Sequence, residues 1–96
     1  MSPESWIFTL DVQDRPGITM RVANVLSQRG LNIDEILGRT DTEAGTGQIV
    51  LRFSADERMK DYVKRVLERL DGVSYVLDIA AEEGLHVWQA LSRPDA

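Results

Sequence analysis

The chain has 96 residues, of which 43% are apolar, no Cys, and a formal net charge of -5. This is enough for one domain; it excludes disulfide and thiolate chemistry, fits a cytoplasmic protein, and argues against nucleic acid or an acidic membrane surface, which both call for a basic face. No apolar segment approaches the roughly 20 residues that cross a bilayer, and "MSPESWIF" lacks the basic stretch and apolar run of a signal peptide.

Residues 1–5 read as an N-terminal tail. From Trp6 to Gln13 the pattern has period two, with Trp6, Phe8, Leu10 and Val12 on one face and Ile7, Thr9, Asp11 and Gln13 on the other, which predicts a strand. Asp14-Arg15-Pro16-Gly17 stops it. Pro16 fixes its own φ and pushes Arg15 toward extended backbone. From Ile18 the spacing is helical: Ile18, Val22, Val25, Leu26 and Arg29 trace one face, and Gly30 stands where a helix is capped.

A second strand is expected from Asn32 to Arg39. Its alternation is irregular, since Ile33 and Leu37 share a parity that Ile36 breaks, and a bulge near Asp34-Glu35 accounts for this. "RTDTEAGTG" is a turn. Gln48 to Phe53 forms a third strand with Ile49, Leu51 and Phe53 on one face. "SADERMKDYVKRVLERL" is a second helix, capped by Ser54 or Asp56, with Met59, Val63, Val66, Leu67 and Leu70 as its buried stripe. Asp71-Gly72 closes it. Val73 to Ala80 is the fourth strand, with Val73, Tyr75, Leu77 and Ile79 expected on one face. In residues 82–96, Leu85, Trp88 and Leu91 recur at spacing three, as in a short docked helix.

The order strand, helix, strand, strand, helix, strand makes an α+β, ferredoxin-like βαββαβ sandwich over residues 6–81. It has a four-stranded antiparallel sheet with both helices on one face. The other face needs cover, from a second subunit or from the Trp88 segment.

Catalytic chemistry is not visible. Neither a dinucleotide nor a P-loop glycine pattern is present. The single His, His86, cannot make a metal centre by itself, and no serine has a base partner nearby. The third strand lacks the aromatic and basic signature of RNA-recognition domains. A small acylphosphatase-like enzyme could place Arg15 and Asn32 in its mechanism, but no phosphate cradle surrounds Arg15. No catalytic residue, metal ligand or cofactor is therefore assigned.

What the sequence does build is a recognition site. The loop from Asp14 to Gly17 opens a helix whose first amides, Gly17 to Met20, point back toward it, and unpaired amides plus the helix dipole favour an anion such as a carboxylate. Asn32 follows the same helix, about 18 Å further on at 1.5 Å per residue. In a two-fold dimer the loop of one chain can face Asn32 of the other. Asn32 then offers a carbonyl and an amide to a small zwitterion, and Asp14 an acceptor for its ammonium.

Asp-Arg-Pro-Gly-Ile after an apolar strand, then "MRVANVLSQRGLNIDEI" and the later "LERLDGVSYV", resemble the ACT domain family of amino-acid-sensing modules. Within that family they are most similar to the regulatory (small) subunit of acetolactate synthase, also called acetohydroxyacid synthase. The resemblance spans about Phe8 to Leu77. It implies side-by-side homodimers and a branched-chain amino-acid effector, valine above all, held at the interface. It also implies control of a separate thiamine-diphosphate catalytic subunit by a chain with no catalysis of its own. The effector residues it implies are Asp14, Arg15, Pro16, Gly17, Ile18, Asn32 and Ile33. The subgroup usually has Asn where Asp14 stands. Asp cannot donate to a ligand carboxylate, which leaves open a freestanding ACT protein that binds another amino acid and regulates a different enzyme.

Overall fold

The computed structural model describes residues 4–80. The elements run β1 (Glu4–Gln13), α1 (Ile18–Ser27), β2 (Ile33–Asp41), β3 (Thr46–Ala55), α2 (Glu57–Glu68) and β4 (Val73–Ala80). The strands form one sheet in the order β2-β3-β1-β4, and every neighbouring pair is antiparallel. This is the expected βαββαβ sandwich. β1 starts at Glu4, two residues before Trp6, and pairs there with Ala55. The docked helix expected in 82–96 lies outside the described residues.

The core forms between one sheet face and both helices. Trp6, Phe8, Leu10 and Val12 of β1 and Ile49, Leu51, Phe53 and Ala55 of β3 meet Val22, Val25 and Leu26 of α1 and Val63 and Leu67 of α2. These are the predicted faces. Phe8 and Phe53 pack edge to face with centroids 4.8 Å apart, an arrangement that adds to their area burial. Ile7 and Val50 point to the opposite face and are also buried.

Two bulges decide which side chains reach the core. In β2 the pairing passes from Ile33↔Phe53 to Glu35↔Arg52, so Asp34 is the extra residue. Ile33 and Ile36 then both stand opposite core residues of β3, and Leu37 turns to the other face opposite Val50. The expected bulge is therefore present. β4 holds a second one that the sequence reading lacked. Asp11 pairs with Tyr75 but Val12 with Val73, which leaves Ser74 over. Val73 consequently lies on the helix side, packed against the core, and not with Tyr75, Leu77 and Ile79 as expected.

That register also places Asp78 under α2. Asp78 accepts from Lys60 Nζ at 2.8 Å and from Lys64 Nζ at 2.7 Å. Lys60 is 6% exposed, pairs also with Asp61 at 2.7 Å, and lies 4.4 Å from the centroid of the Trp6 ring. Trp6 Nε1 in turn donates to the Ala55 carbonyl at 3.1 Å. Burial pushes the Asp78 carboxyl up, but the hydrogen bonds and charges of Lys60 and Lys64 outweigh it and hold its pKa below the ordinary carboxylate value. A depressed pKa contributes stability above the unfolded-state value, lost as pH falls through the folded one. Asp78→Ala should therefore cost about 2 kcal/mol near neutral pH, by stranding the Lys64 ammonium and leaving the buried Lys60 ammonium with Asp61 alone. The difference from wild type should shrink as the wild-type carboxylate protonates in acid. Urea unfolding of both proteins at pH 7 and below pH 3 checks this; a pH-independent gap would refute it.

Candidate functional site

The loop Asp14 to Gly17 joins β1 to α1 and is tied down on two sides. Gln13 N donates to the Gly72 carbonyl at 2.7 Å, and Asp14 N donates to the Gly45 carbonyl at 3.0 Å. The loop thus sits between the α2–β4 turn and the β2–β3 hairpin. Arg15 reaches across to Asp71, with Nη1 and Oδ2 2.7 Å apart. A Cβ added at Gly72 would lie 3.1 Å from Ile18 Cδ1 and 3.7 Å from Arg15 Cδ. A larger residue at Gly72 would therefore press directly on the loop and on the first residue of α1.

Gly17 is the residue that starts α1. Its φ is 81°, the left-handed region that glycine enters without steric cost. Its carbonyl accepts the first helical bond, from Arg21 N at 3.0 Å. No side chain of the described residues caps the helix, and no described atom lies within 4 Å of a Cβ placed on Gly17. The helix start is therefore approachable. Of the amides expected to be free, that of Ile18 is taken by the Arg15 carbonyl at 3.2 Å. The other end of α1 closes with Gly30 at φ 72°, where Leu31 N bonds the Leu26 carbonyl and Gly30 N the Ser27 carbonyl, both at 3.1 Å.

The predicted residues divide into two groups. Asp14, Pro16 and Gly17 are exposed at the helix start, Arg15 is engaged by Asp71, and Ile18 is buried in the core and anchors the turn. Asn32 and Ile33 are elsewhere. Asp14 is bonded at Gly45, whereas Ile33 pairs with Phe53, which is about 26 Å along β3 at ~3.3 Å per residue. One chain therefore does not bring the loop and Asn32 together. Arg15 and Asn32 likewise flank the two ends of α1, about 18 Å apart at 1.5 Å per residue, so one chain does not assemble the arrangement an acylphosphatase-like enzyme would need.

Two neighbours of the helix start were not foreseen. Gly38 of β2 stands beside it, its notional Cβ 3.7 Å from Thr19 Oγ1. A lone glycine inside an apolar strand is a signal of close approach that could have been read. Asp71-Gly72 looked like a simple helix stop. A separate groove of about 510 Å³ lies at the same end of the sheet, lined by Asp11, Arg39, Asp41, Gln48 and Ser74 among others. Among the described residues no group of His, Cys, Asp and Glu could hold a metal ion, and no helix is long and apolar enough to cross a membrane.

A family model described as the AHAS small subunit-like ACT domain matches residues 8–75. The chain belongs to this family. The match covers the whole stretch from the first core strand through the Gly17 turn and Asn32 to Tyr75. The ACT domain is 30% identical over 80 residues to a probable acetolactate synthase small subunit of Methanothermobacter thermautotrophicus, covering 82% of this chain and 47% of that one. It is 26% identical over 92 residues to the acetolactate synthase small subunit of Mycobacterium avium, covering 96% and 54%. The chain thus spans about half the length of these relatives. In fold it resembles the acetolactate synthase small subunit of Thermotoga maritima, with a TM-score of 0.68 at 23% identity over 77% of this chain and 46% of that one. The ACT domain of a Chlorobium tepidum GTP pyrophosphokinase is similar too, at TM-score 0.68 and 19% identity, covering 80% and 99%.

Proposed function

We propose that this ACT domain is the amino-acid-binding part of a cytoplasmic regulatory subunit that senses a branched-chain amino acid, valine first, and controls a separate acetolactate synthase catalytic subunit. The observation that carries the reading is the uncapped, glycine-opened start of α1 in a chain of this family. Such a helix end holds a carboxylate by its amides and dipole. The ammonium would meet the side-chain carbonyl of the partner's Asn32 across a two-fold interface. Nothing in this arrangement breaks or makes a bond, and regulation is the role that fits it. Calorimetric titration with valine, leucine and isoleucine, alone and with the catalytic subunit, tests it. Absence of binding at millimolar concentration in both settings would refute it.

Asp14 favours a second reading, a freestanding ACT protein tuned to another amino acid and another enzyme. Its carboxylate accepts hydrogen bonds but repels a ligand carboxylate placed close by. Under the first reading Asp14→Asn removes that repulsion and should tighten valine binding by about 1 kcal/mol, roughly fivefold. Weaker binding of valine by Asp14→Asn would instead mean that Asp14 holds the ammonium, and a screen of other amino acids would follow.

A further inference from the structure

α2 turns its Lys60, Val63 and Leu67 face to the sheet. Arg58, Tyr62, Arg65 and Arg69 recur at spacings of four, three and four, so they form one outer stripe. Between them runs a groove of about 380 Å³ lined by Asp56, Arg58, Met59, Tyr62 and Arg65. Asp56 is its one acid, and that carboxylate is spent on the helix cap, accepting from Met59 N at 2.7 Å. Asp61, which borders Arg58 and Arg65 at spacings of three and four, is paired with Lys60 at 2.7 Å, and Glu57 and Glu68 lie along the edge of the stripe. Among the described residues none of Arg58, Arg65 and Arg69 has an ion-pair partner.

Tyr62 is 43% exposed in the middle of this stripe and is held in place from behind. The Arg29 guanidinium lies 5.1 Å from its ring centroid and donates to its hydroxyl at 3.3 Å, while Arg29 Nη1 is fixed to the Val25 carbonyl at 3.0 Å. Arg, Tyr and Met are the residue types enriched at the centres of protein interfaces, and a pre-ordered aromatic loses little entropy on binding. In a chain of net charge -5 the stripe is a local reversal of sign. Charge complementarity selects an acidic partner. A nucleic acid would be repelled by the remainder of the chain.

We infer that this flank of α2 docks an acidic segment of the enzyme that the subunit regulates, with carboxylates at Arg58 and Arg65 and an apolar residue over Tyr62 and Met59. The inference rests on the regulatory reading above. Its test uses the full chain and the acetolactate synthase catalytic subunit of the same organism, with their affinity measured for wild type, Arg58→Glu/Arg65→Glu and Arg58→Lys/Arg65→Lys, and with valine binding recorded for each. Charge reversal should weaken the complex about tenfold or more and leave valine affinity unchanged, whereas the lysine variant should stay within about threefold of wild type. Wild-type affinity should fall several-fold as salt rises, and that dependence should flatten in the reversed variant. Equal affinity of wild type and the reversed variant would overturn the docking site alone. A wild type that binds valine but no catalytic subunit would overturn the named partner and the regulatory reading with it. Loss of self-association in the reversed variant, with enzyme binding intact, would make the flank an interface between copies and overturn the inference too.

Discussion

Gly17→Asp should abolish effector binding and leave the fold in place. The two halves of this result have separate causes. Folding tolerates the change because no described atom lies within 4 Å of the new Cβ. The backbone at φ 81° penalises most L residues by about 1–2 kcal/mol, but Asp is among the few that adopt it readily. A carboxylate at a helix start also offsets the dipole and can cap the amides, for about 1 kcal/mol in return. Net stability should therefore stay within about 1 kcal/mol of wild type by urea titration. Binding does not tolerate it. The new carboxylate occupies the approach that glycine leaves open and sets a fixed negative charge a few ångströms from the ligand's own. At an effective dielectric between water and a protein surface that costs on the order of 3 kcal/mol, a hundredfold or more in affinity. Calorimetry reads it directly, and unchanged affinity would put the pocket elsewhere. Gly17→Ala separates the two contributions, since it adds the Cβ and the backbone strain without the charge.

This outcome could be anticipated from the sequence because a helix start is a local matter. Pro16, Gly17 and the apolar run from Ile18 state it within a few residues. The bulge in β2 was legible for a related reason, since Ile33, Ile36 and Leu37 cannot all fit one alternation, and the misfit announces the extra residue. β4 gave no such warning. Val73, Tyr75, Leu77 and Ile79 alternate without fault, yet Ser74 is skipped in the pairing, and Val73 joins the core with Val76. Asp78 was equally hidden. It looks like a surface acid until the register sets it under Lys60 and Lys64, one helical turn apart on α2. At the candidate site the loop itself was readable, but its supports were not. Gly45, Asp71 and Gly72 come from the hairpin and from the α2–β4 turn, brought there by strand pairing over long sequence separations. Arg15 is the instructive case. In the sequence it was grouped with the effector residues, while in the fold its guanidinium pairs with Asp71 and braces the loop.

Asn32→Ala should also remove effector binding, and its combination with Gly17→Asp tests the geometry of the site. Gly17 and Asn32 flank the two ends of α1, about 18 Å apart at 1.5 Å per residue. A ligand that needs both can bind only where one chain's loop meets another chain's Asn32. In an isologous dimer each site then takes its loop from one subunit and its amide side chain from the other. Homodimers of either variant have no intact site. A mixed dimer has one, because the Asn32→Ala chain supplies an unaltered loop and the Gly17→Asp chain an unaltered Asn32; its second site carries both changes. Random reassortment of equal amounts makes about half of the dimers mixed, so about a quarter of all sites should return on mixing two inactive proteins. Their affinity should be that of wild type, because every contact of the restored site is unaltered. Calorimetry of the mixture after subunit exchange gives both the stoichiometry and the affinity. If Asn32→Ala binds normally, Asn32 is only a strand-start residue. If both variants are inactive and mixing restores nothing although mixed dimers form, the loop and Asn32 do not share a site across the two-fold axis.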